Sequence, residues 1–335
     1  MALEGATTNN TAKADCPTHC GNVTVPYPFG IGTNCSLDRI FNLNCNDSYE
    51  PPKLFVGSLE IYNISDSELR IFTRVSYRCF NQRGLFADQY NDWTDLAGFY
   101  TFSTKNKYTV IGCDDYALIS GINKEDFFSA CFGLCQTPSN VHKGQCSGIG
   151  CCQIPIPKGL SYYSATLNSI NNHSDVWHDN ECGFGFLVEE GGFEFGGAID
   201  LSSGYTEFVN RIRSNMVVVL DWVIKSNVSC TAEGSECKGN SSCYDVEGDG
   251  YRCKCNEGYE GNPYLHPGCQ DIDECQQETN PCYDLTGASF HSLPFSDPLP
   301  PPLEISFNLD MRKTSATDWY AVEDGMPFSC DGGRW

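Results

Sequence analysis

The sequence predicts a mainly β, disulfide-rich extracellular chain, with cysteine-rich β domains followed by a small disulfide-stapled module and a disordered tail. Three observations carry this. Twenty-one cysteines in 335 residues, against four methionines, is a density that an oxidising compartment turns into a disulfide framework. Eight Asn-x-Ser/Thr sequons, at Asn9, Asn22, Asn34, Asn46, Asn63, Asn172, Asn227 and Asn240, are N-glycosylation acceptors on a chain that enters the secretory pathway. From Cys16 to Cys182, short runs rich in Val, Ile, Phe and Tyr are broken by Gly, Pro and Asn, the pattern of many short strands.

Charge narrows the function class. Residues 16–160 hold 11 Lys/Arg and 13 Asp/Glu, whereas residues 161–335 hold 9 and 28. A net charge of -22 argues against nucleic-acid binding, which shows a basic footprint, and against adsorption to anionic membranes. Residues 1–15 read as a disordered N-terminus with no basic n-region and no apolar run, so no signal peptide is expected there. Met216 to Leu220, the most apolar run, meets Asp221 well short of the ~20 residues that a spanning helix needs.

The elements follow in order. Leu54 to Val56 and Leu59 to Ile64 flank Gly57-Ser58 as a hairpin. Leu69 to Cys79 alternates as one strand, with Leu69, Ile71, Thr73, Val75, Tyr77 and Cys79 inward and Arg70, Phe72, Arg74, Ser76 and Arg78 outward. Cys151 and Cys152 are adjacent, and neighbouring Cα atoms sit about 3.8 Å apart, short of the roughly 4.4–6.8 Å of a disulfide. On an extended chain they point to opposite sides, so each is expected to bond a different element. Phe184 to Val188 and Phe193 to Phe195 flank Glu190-Gly191-Gly192 as a second hairpin. Thr206 to Asn215 reads as a short helix and Met216 to Ile224 as a buried strand.

The cysteines at 230, 237, 243, 253, 255 and 269 resemble an EGF-like domain, and the one-residue gap of Cys253-Lys254-Cys255 makes the match specific. The resemblance implies the pairs Cys230 with Cys243, Cys237 with Cys253, and Cys255 with Cys269; spacing alone leaves 15 connectivities open. Asp271-Ile272-Asp273-Glu274-Cys275 resembles the opening of a calcium-binding EGF-like domain, where Asp271, the Ile272 carbonyl and Glu274 suit a hard cation. The module then stops, leaving the ligand set incomplete, and the competing reading is a solvated acidic turn. No cofactor is required, and calcium is the one candidate. Cys275, Cys282 and Cys330 make an odd remainder, which leaves one thiol unpaired or bonded to another chain. Residues 283–335 hold Pro294, Pro298 and Pro300 to Pro302 and show no lasting period, so they are expected to be disordered or extended.

A wider resemblance covers Cys16 to about Cys282. Cys16-Pro-Thr-His-Cys20-Gly21-Asn22, Val25 to Gly32 (VPYPFGIG), Phe41 to Cys45 (FNLNC), Gly112-Cys113-Asp114, Gly150 to Gln153 (GCCQ) and Val219 to Ile224 (VLDWVI) are similar to the ectodomain of plant wall-associated receptor kinases. The implied organisation is a galacturonan-binding domain at 16–119, a cysteine-rich region at 120–228, the EGF-like domain at 229–269, a truncated calcium-binding EGF-like start at 270–282 and the tail. The implied function is binding pectin, a galacturonate polymer, in the cell wall, with the plasma membrane as the setting of the full-length family. The kinase signatures are missing: no Gly-rich loop precedes a strand lysine and no His-Arg-Asp loop follows. The chain is therefore expected not to be an enzyme.

Holding galacturonate requires cations and sugar-stacking rings. Arg70, Arg74 and Arg78 share one face of the expected strand at intervals of about 13 Å, and guanidinium forks grip carboxylates bidentately. The competing reading makes them ordinary surface arginines paired with Glu60, Asp66 or Glu68. Trp93 and Tyr27, with Phe29, Tyr90 and Tyr100, supply apolar ring faces, whose bland alternative is core filling. Two rival classes remain: a protein- or peptide-binding EGF-type module, and a pectin hydrolase, for which no carboxylate pair is singled out. A zinc set of Cys131, Cys135, Cys151 and Cys152 is conceivable, but oxidation favours disulfides.

Overall fold

The computed structural model describes residues 11–272, except 97–98, 122–126, 138–139, 203, 213–215, 226–229, 231–235 and 247–249, and the backbone of 310–313, 319–323 and 326–328. The chain forms two compact units, 1–270 and 271–335.

The first unit opens with the ribbon β1 (His19–Cys20) and β2 (Val23–Thr24), then β3 (Gly30–Ile31), a 3-10 turn at Arg39–Phe41, β4 (Asn42–Asn46), β5 (Lys53–Val56), β6 (Leu59–Ile64) and β7 (Glu68–Phe72). The expected hairpin at Gly57 forms, with Val56 opposite Leu59 and Gly57 at φ 57°, a left-handed conformation that glycine adopts without strain. β8 (Val75–Phe80), β9 (Phe86–Tyr90), β10 (Trp93–Asp95), β11 (Tyr100–Phe102), β12 (Asn106–Ile111), β13 (Asp114–Ser120) and β14 (Phe128–Leu134) follow. β15 (Cys151–Pro155), β16 (Tyr162–Ser169), β17 (Cys182–Glu189), α1 (Ala198–Leu201), α2 (Tyr205–Ile212) and β18 (Val217–Trp222) complete the β domain. The EGF-like segment adds β19 (Ile224–Lys225), β20 (Ser241–Val246), β21 (Gly250–Cys255), β22 (Tyr259–Glu260) and β23 (Gln270–Asp271). In the second unit, β24 (Asp310–Lys313), β25 (Trp319–Glu323) and β26 (Met326–Phe328) form an antiparallel meander. The rest of the Pro-rich stretch, with Cys275, Cys282 and Cys330, lies outside the described residues.

Three sheets organise the β domain: seven strands in the order β11-β18-β7-β6-β5-β4-β3, five as β15-β12-β17-β8-β9, and four as β10-β16-β13-β14. β17 pairs with β8 and β12 while β18 pairs with β7 and β11, so strands from both sides of position 120 share sheets. The five-stranded sheet is covered on both faces at its centre, while its edge strand β9 is exposed along its length. Tyr108, Val110, Cys152, Ile154 and Leu187 pack into one hydrophobic cluster, and Ile111, Cys151, Phe184, Phe186 and Val188 into a second. A strand buried on both faces reads as a continuous apolar run rather than an alternation, and Cys182–Glu189, CGFGFLVE, does so.

Two expectations are corrected here. Leu69 to Cys79 is two strands: β7 belongs to the seven-stranded sheet and β8 to the five-stranded one. The corner at Thr73-Arg74 is held by the Thr73 amide on Met216 O at 3.1 Å and its hydroxyl on Leu187 O. Leu69 and Ile71 therefore fill one cluster and Val75 the other, but the alternation fails at Ser76. Expected outward, it is fully buried and its hydroxyl accepts from the Asp92 amide at 2.9 Å, on the side of β8 where Arg78 reaches Leu167 O of the four-stranded sheet. The hairpin expected at Gly191 does not form, because both edges of β17 are already paired, to β12 and β8. Phe193 instead meets Phe186 edge-on at 5.2 Å. The expected helix and buried strand appear as α2 and β18, and Phe208 of α2 stacks on Phe184 at 4.1 Å.

Nine disulfides staple the first unit. Cys151 bonds Cys146 and Cys152 bonds Cys131, while Cys113 bonds Cys135 and Cys79 bonds Cys182 across paired strands. Cys16–Cys35 and Cys20–Cys45 close the N-terminal module. The EGF-like pairs are 230–243, 237–253 and 255–269, as the resemblance implied. Every member of the conceivable zinc set is thus a disulfide. An edge-to-face aromatic cluster joins the modules: Phe29 and Phe41 meet Trp222 at 5.4 and 5.8 Å, and Tyr264 of the EGF-like segment lies 5.9 Å from the same indole.

One buried ion pair ties the four-stranded sheet to the loop after β16. His173 and Asp115 are both fully buried; the imidazole Nδ1 faces Asn180 O at 2.6 Å and Nε2 faces Asp115 Oδ1 at 3.0 Å. Gly183 leaves the room, since a Cβ there would sit 1.9 Å from Asp115 Oδ1. Burial works to lower the His173 pKa, but the Asp115 hydrogen bond and charge with the Asn180 carbonyl outweigh it and hold it above its ordinary value. Burial likewise pushes the Asp115 carboxyl up against the pull of His173. A pKa raised on folding stabilises below the unfolded value, about 6.5 for histidine, and that contribution is lost as pH rises through the folded pKa. The melting temperature should therefore fall from pH 6 to pH 8. His173→Gln should flatten that slope and cost roughly 3–5 kcal/mol by leaving Asp115 unpaired. A wild-type melting temperature independent of pH across this range would contradict the assignment.

Candidate polysaccharide-binding surfaces

The three arginines do not form a ladder. Arg70 on β7 makes a bidentate contact with Glu189, at 3.1 and 2.8 Å, and lies 3.1 Å from Glu68; that guanidinium holds Glu189 below the usual carboxylate range. Arg74 sits at the corner, 3.1 Å from the Asp92 carboxylate, and donates to Trp93 O and Thr94 Oγ1. Arg78 on β8 donates to Leu167 O and Asn168 Oδ1 at 3.3 Å and lies between the Phe80 and Phe86 rings at 5.6 and 5.8 Å. The pairing of Arg70 with Glu68 is the competing reading realised. Each guanidinium is occupied by a partner from another strand, so their chemistry here is cross-linking of sheets.

The rings divide by exposure. Phe29 and Tyr100 are core. Tyr27 is half-buried where the EGF-like segment docks, its carbonyl accepting from Asn262 Nδ2 at 2.7 Å. Burial, with Glu236 nearby, raises its phenol pKa. Tyr90 and Trp93 are exposed, Trp93 to 61%.

Sequence reasoning passed over a cluster on the outer face of the seven-stranded sheet. Lys53 Nζ lies 4.9 Å over the Tyr49 ring and 2.9 Å from Glu60; Tyr49 also meets Phe55 at 6.2 Å, and exposed Tyr62 meets Phe72 edge-on at 5.5 Å. Arg39, in the turn before β4, is exposed. The signal was present in the outward positions Lys53, Phe55 and Tyr62 of the correctly read hairpin. Sequons Asn46 and Asn63 lie on β4 and β6 of the same sheet, and Asn46 is directly opposite Lys53.

The buried carboxylates are structural fixtures. Asp92 is held by Arg74, the Tyr90 hydroxyl at 3.2 Å and the Tyr163 hydroxyl. A cleft of about 280 Å³ brings Glu194 and Asp200 together. There Asp200 accepts from the Gly196 amide at 2.6 Å and from Arg211, and Glu194 faces Lys143 at 3.5 Å. Asp271 is exposed on β23, and Glu274 lies outside the described residues. Among the described residues no cluster of three or more His, Cys, Asp or Glu is placed to hold a metal ion, and no helix is long and apolar enough to cross a membrane.

Comparison with known proteins adds the decisive observation. Residues 16–75 match the family model described as wall-associated receptor kinase galacturonan-binding. Its likeness is to the wall-associated receptor kinases. Wall-associated receptor kinase 2 of Arabidopsis thaliana is 40% identical over 277 residues, 81% of this chain and 36% of the relative. Wall-associated receptor kinase 4 is 37% identical over 266 residues, 78% and 35% respectively. Wall-associated receptor kinase 1 is 33% identical over 292 residues, 85% and 37%. The chain thus spans little more than a third of these wall-associated kinases. No solved structure matches it. Disulfides, sequons and this likeness agree on an extracellular, cell-wall setting. The matched segment runs from β1 to the first residue of β8 and includes Tyr49, Lys53 and Tyr62.

The Arg74 geometry yields a stability prediction. Because Asp92 is 3% exposed, removing its cation strands a buried carboxylate, and Arg74→Ala should destabilise by roughly 2–4 kcal/mol. Arg83→Ala, at an exposed turn, should change stability by less than about 0.5 kcal/mol. Equal denaturant midpoints for the two variants would refute the structural role of Arg74.

Proposed function

We propose that this chain binds de-esterified galacturonan of the plant cell wall through residues 16–75 and does not cleave it. The match of that segment to a galacturonan-binding family model carries the reading. Geometry supports it: Arg39 is exposed, and Lys53, whose side chain is 38% exposed, stands beside the exposed Tyr49 ring; Arg74 is equally exposed but is tied to the buried Asp92 carboxylate. A ring face can lie on the apolar face of a sugar while the ammonium meets a carboxylate. Arg70, Arg74, Arg78, Trp93 and Tyr27 form the alternative contact set. Arg74 would have to leave Asp92, which is 3% exposed, and stripping a buried carboxylate of its cation is costly; Arg70 is already gripped by Glu189 and Glu68. No calcium is required on this account, because the protein's own cations meet the polymer.

Retention of the oxidised chain on immobilised de-esterified galacturonan tests this. Binding should weaken as salt rises, since exposed charges are screened beyond about 8 Å at physiological ionic strength, and should persist in chelator. Arg39→Ala and Lys53→Ala should each weaken it roughly two- to fivefold, the scale of an exposed ion pair. Release of reducing ends would make the protein a hydrolase. No retention at low salt would leave the EGF-like segment as a protein-binding module. Loss of retention in chelator would assign the contact to a calcium bridge.

A further inference from the structure

The outer face of the four-stranded sheet has a composition that the galacturonan reading does not use. Its inward positions, including Asp115, Ala117, Ile119, Cys131, Tyr163, Ala165 and Leu167, are buried. Its outward positions align in rows across the strands. Trp93, Ser164, Ser120 and Phe128 form one row, Thr166, Leu118 and Ala130 the next, and Asn168, Tyr116 and Phe132 the third. Asp95 with Tyr162 and Asp114 with Leu134 stand at the two ends. An antiparallel sheet open on one side ordinarily turns polar residues to water. Here Trp93, Phe128, Phe132 and Leu134 are 61, 57, 45 and 40% exposed, and Ile149 beside Leu134 is 50% exposed. Contiguous exposed apolar surface of this kind marks a binding face.

We propose that this face binds an uncharged pyranose polymer, at a site separate from the galacturonan segment. The rows carry no lysine or arginine of their own, and Arg78, which reaches Asn168 Oδ1, is already engaged there and on Leu167 O, so the rows supply no cation to grip a polyuronate. An uncharged sugar chain presents what the face complements. Its C–H faces cover rings, here the Tyr116 and Phe132 pair stacked at 5.3 Å and the rings of Trp93 and Phe128, about 14 Å apart at three strand spacings. Its hydroxyls find Ser120, Ser164 and Thr166 between those rings; the Asn168 amide is already engaged by Arg78 and Thr166 O. Glycan placement leaves the face open: none of the eight sequons lies on its strands, whereas two lie on the seven-stranded sheet. Asn172, the nearest in sequence, follows the end of β16.

The test uses the oxidised, glycosylated full chain and two immobilised polymers, a neutral xyloglucan and de-esterified galacturonan. The chain should be retained on the xyloglucan. That retention should be insensitive to 1 M salt, a concentration at which the screening length is about 3 Å. Phe128→Ala with Phe132→Ala should weaken it roughly tenfold, about 1.4 kcal/mol, and Phe128→Trp should preserve it. Retention on de-esterified galacturonan should be unchanged in both variants, which separates failure here from failure of the galacturonan reading. Absence of retention on the xyloglucan, or indifference of that retention to the double variant, overturns the proposal. So does a sedimentation result in which the double variant abolishes self-association, since the face would then join two copies of the chain.

Discussion

The centre of the five-stranded sheet, buried on both faces at β12 and β17, is the constraint on which the rest depends. Cys151 and Cys152 express it in two residues: the first points into the cluster beneath α2, the second into the cluster shared with the seven-stranded sheet. Each is then locked to a different chain segment, at Cys146 and Cys131. Strand alternation and backbone geometry disfavour the alternative of a mutual bridge, which would close a strained ring. Because β17 itself has no solvent face, it needs glycines where neighbours press closest. A Cβ at Gly185 would stand 2.6 Å from the Tyr108 hydroxyl oxygen. Asn106 extends the bond network to the next sheet, exchanging hydrogen bonds of 2.7 and 2.8 Å with the Val219 backbone. Each bridge restricts the unfolded chain, typically by about 2–4 kcal/mol.

Much of this was legible in the sequence, and for local reasons. The Gly57 hairpin, α2 and β18 are specified by short-range pattern, and the vicinal cysteines by covalent geometry. The corner at Thr73-Arg74 was not legible, because period-2 alternation shows which side is apolar and not which sheet a strand joins, and Ser76 on the polar side is buried by a layer distant in sequence. The hairpin expected at Gly191 failed for a related reason. A glycine-flanked pair of apolar runs specifies a hairpin only if the edge of the first strand is vacant, and occupancy of that edge is decided by β8, more than a hundred residues earlier.

The surface was harder to read than the core. Arginine spacing suggested a ladder, yet each guanidinium is claimed by a partner distant in sequence: Arg70 by Glu189, Arg78 by Asn168. Nothing local announces such partners. The rings tell the same story, with Trp93 in a polar run exposed as expected, and Tyr27 carried into the junction with the EGF-like segment by contacts 235 residues away. What the fold offers a ligand is therefore sheet faces. The seven-stranded face carries rings, cations and sequons; the four-stranded face carries rings and hydroxyls without cations.

The central claim, that the segment matching the galacturonan-binding model is where the acidic polymer sits, is tested most directly by hydrogen–deuterium exchange of the oxidised chain with and without a de-esterified oligogalacturonide. The account predicts slowed exchange within residues 16–75, concentrated on β4 to β6 and the turn at Arg39, with β13 and β14 unchanged. Slowed exchange confined to the EGF-like segment or to the four-stranded sheet, with residues 16–75 unaltered at saturating ligand, would contradict it.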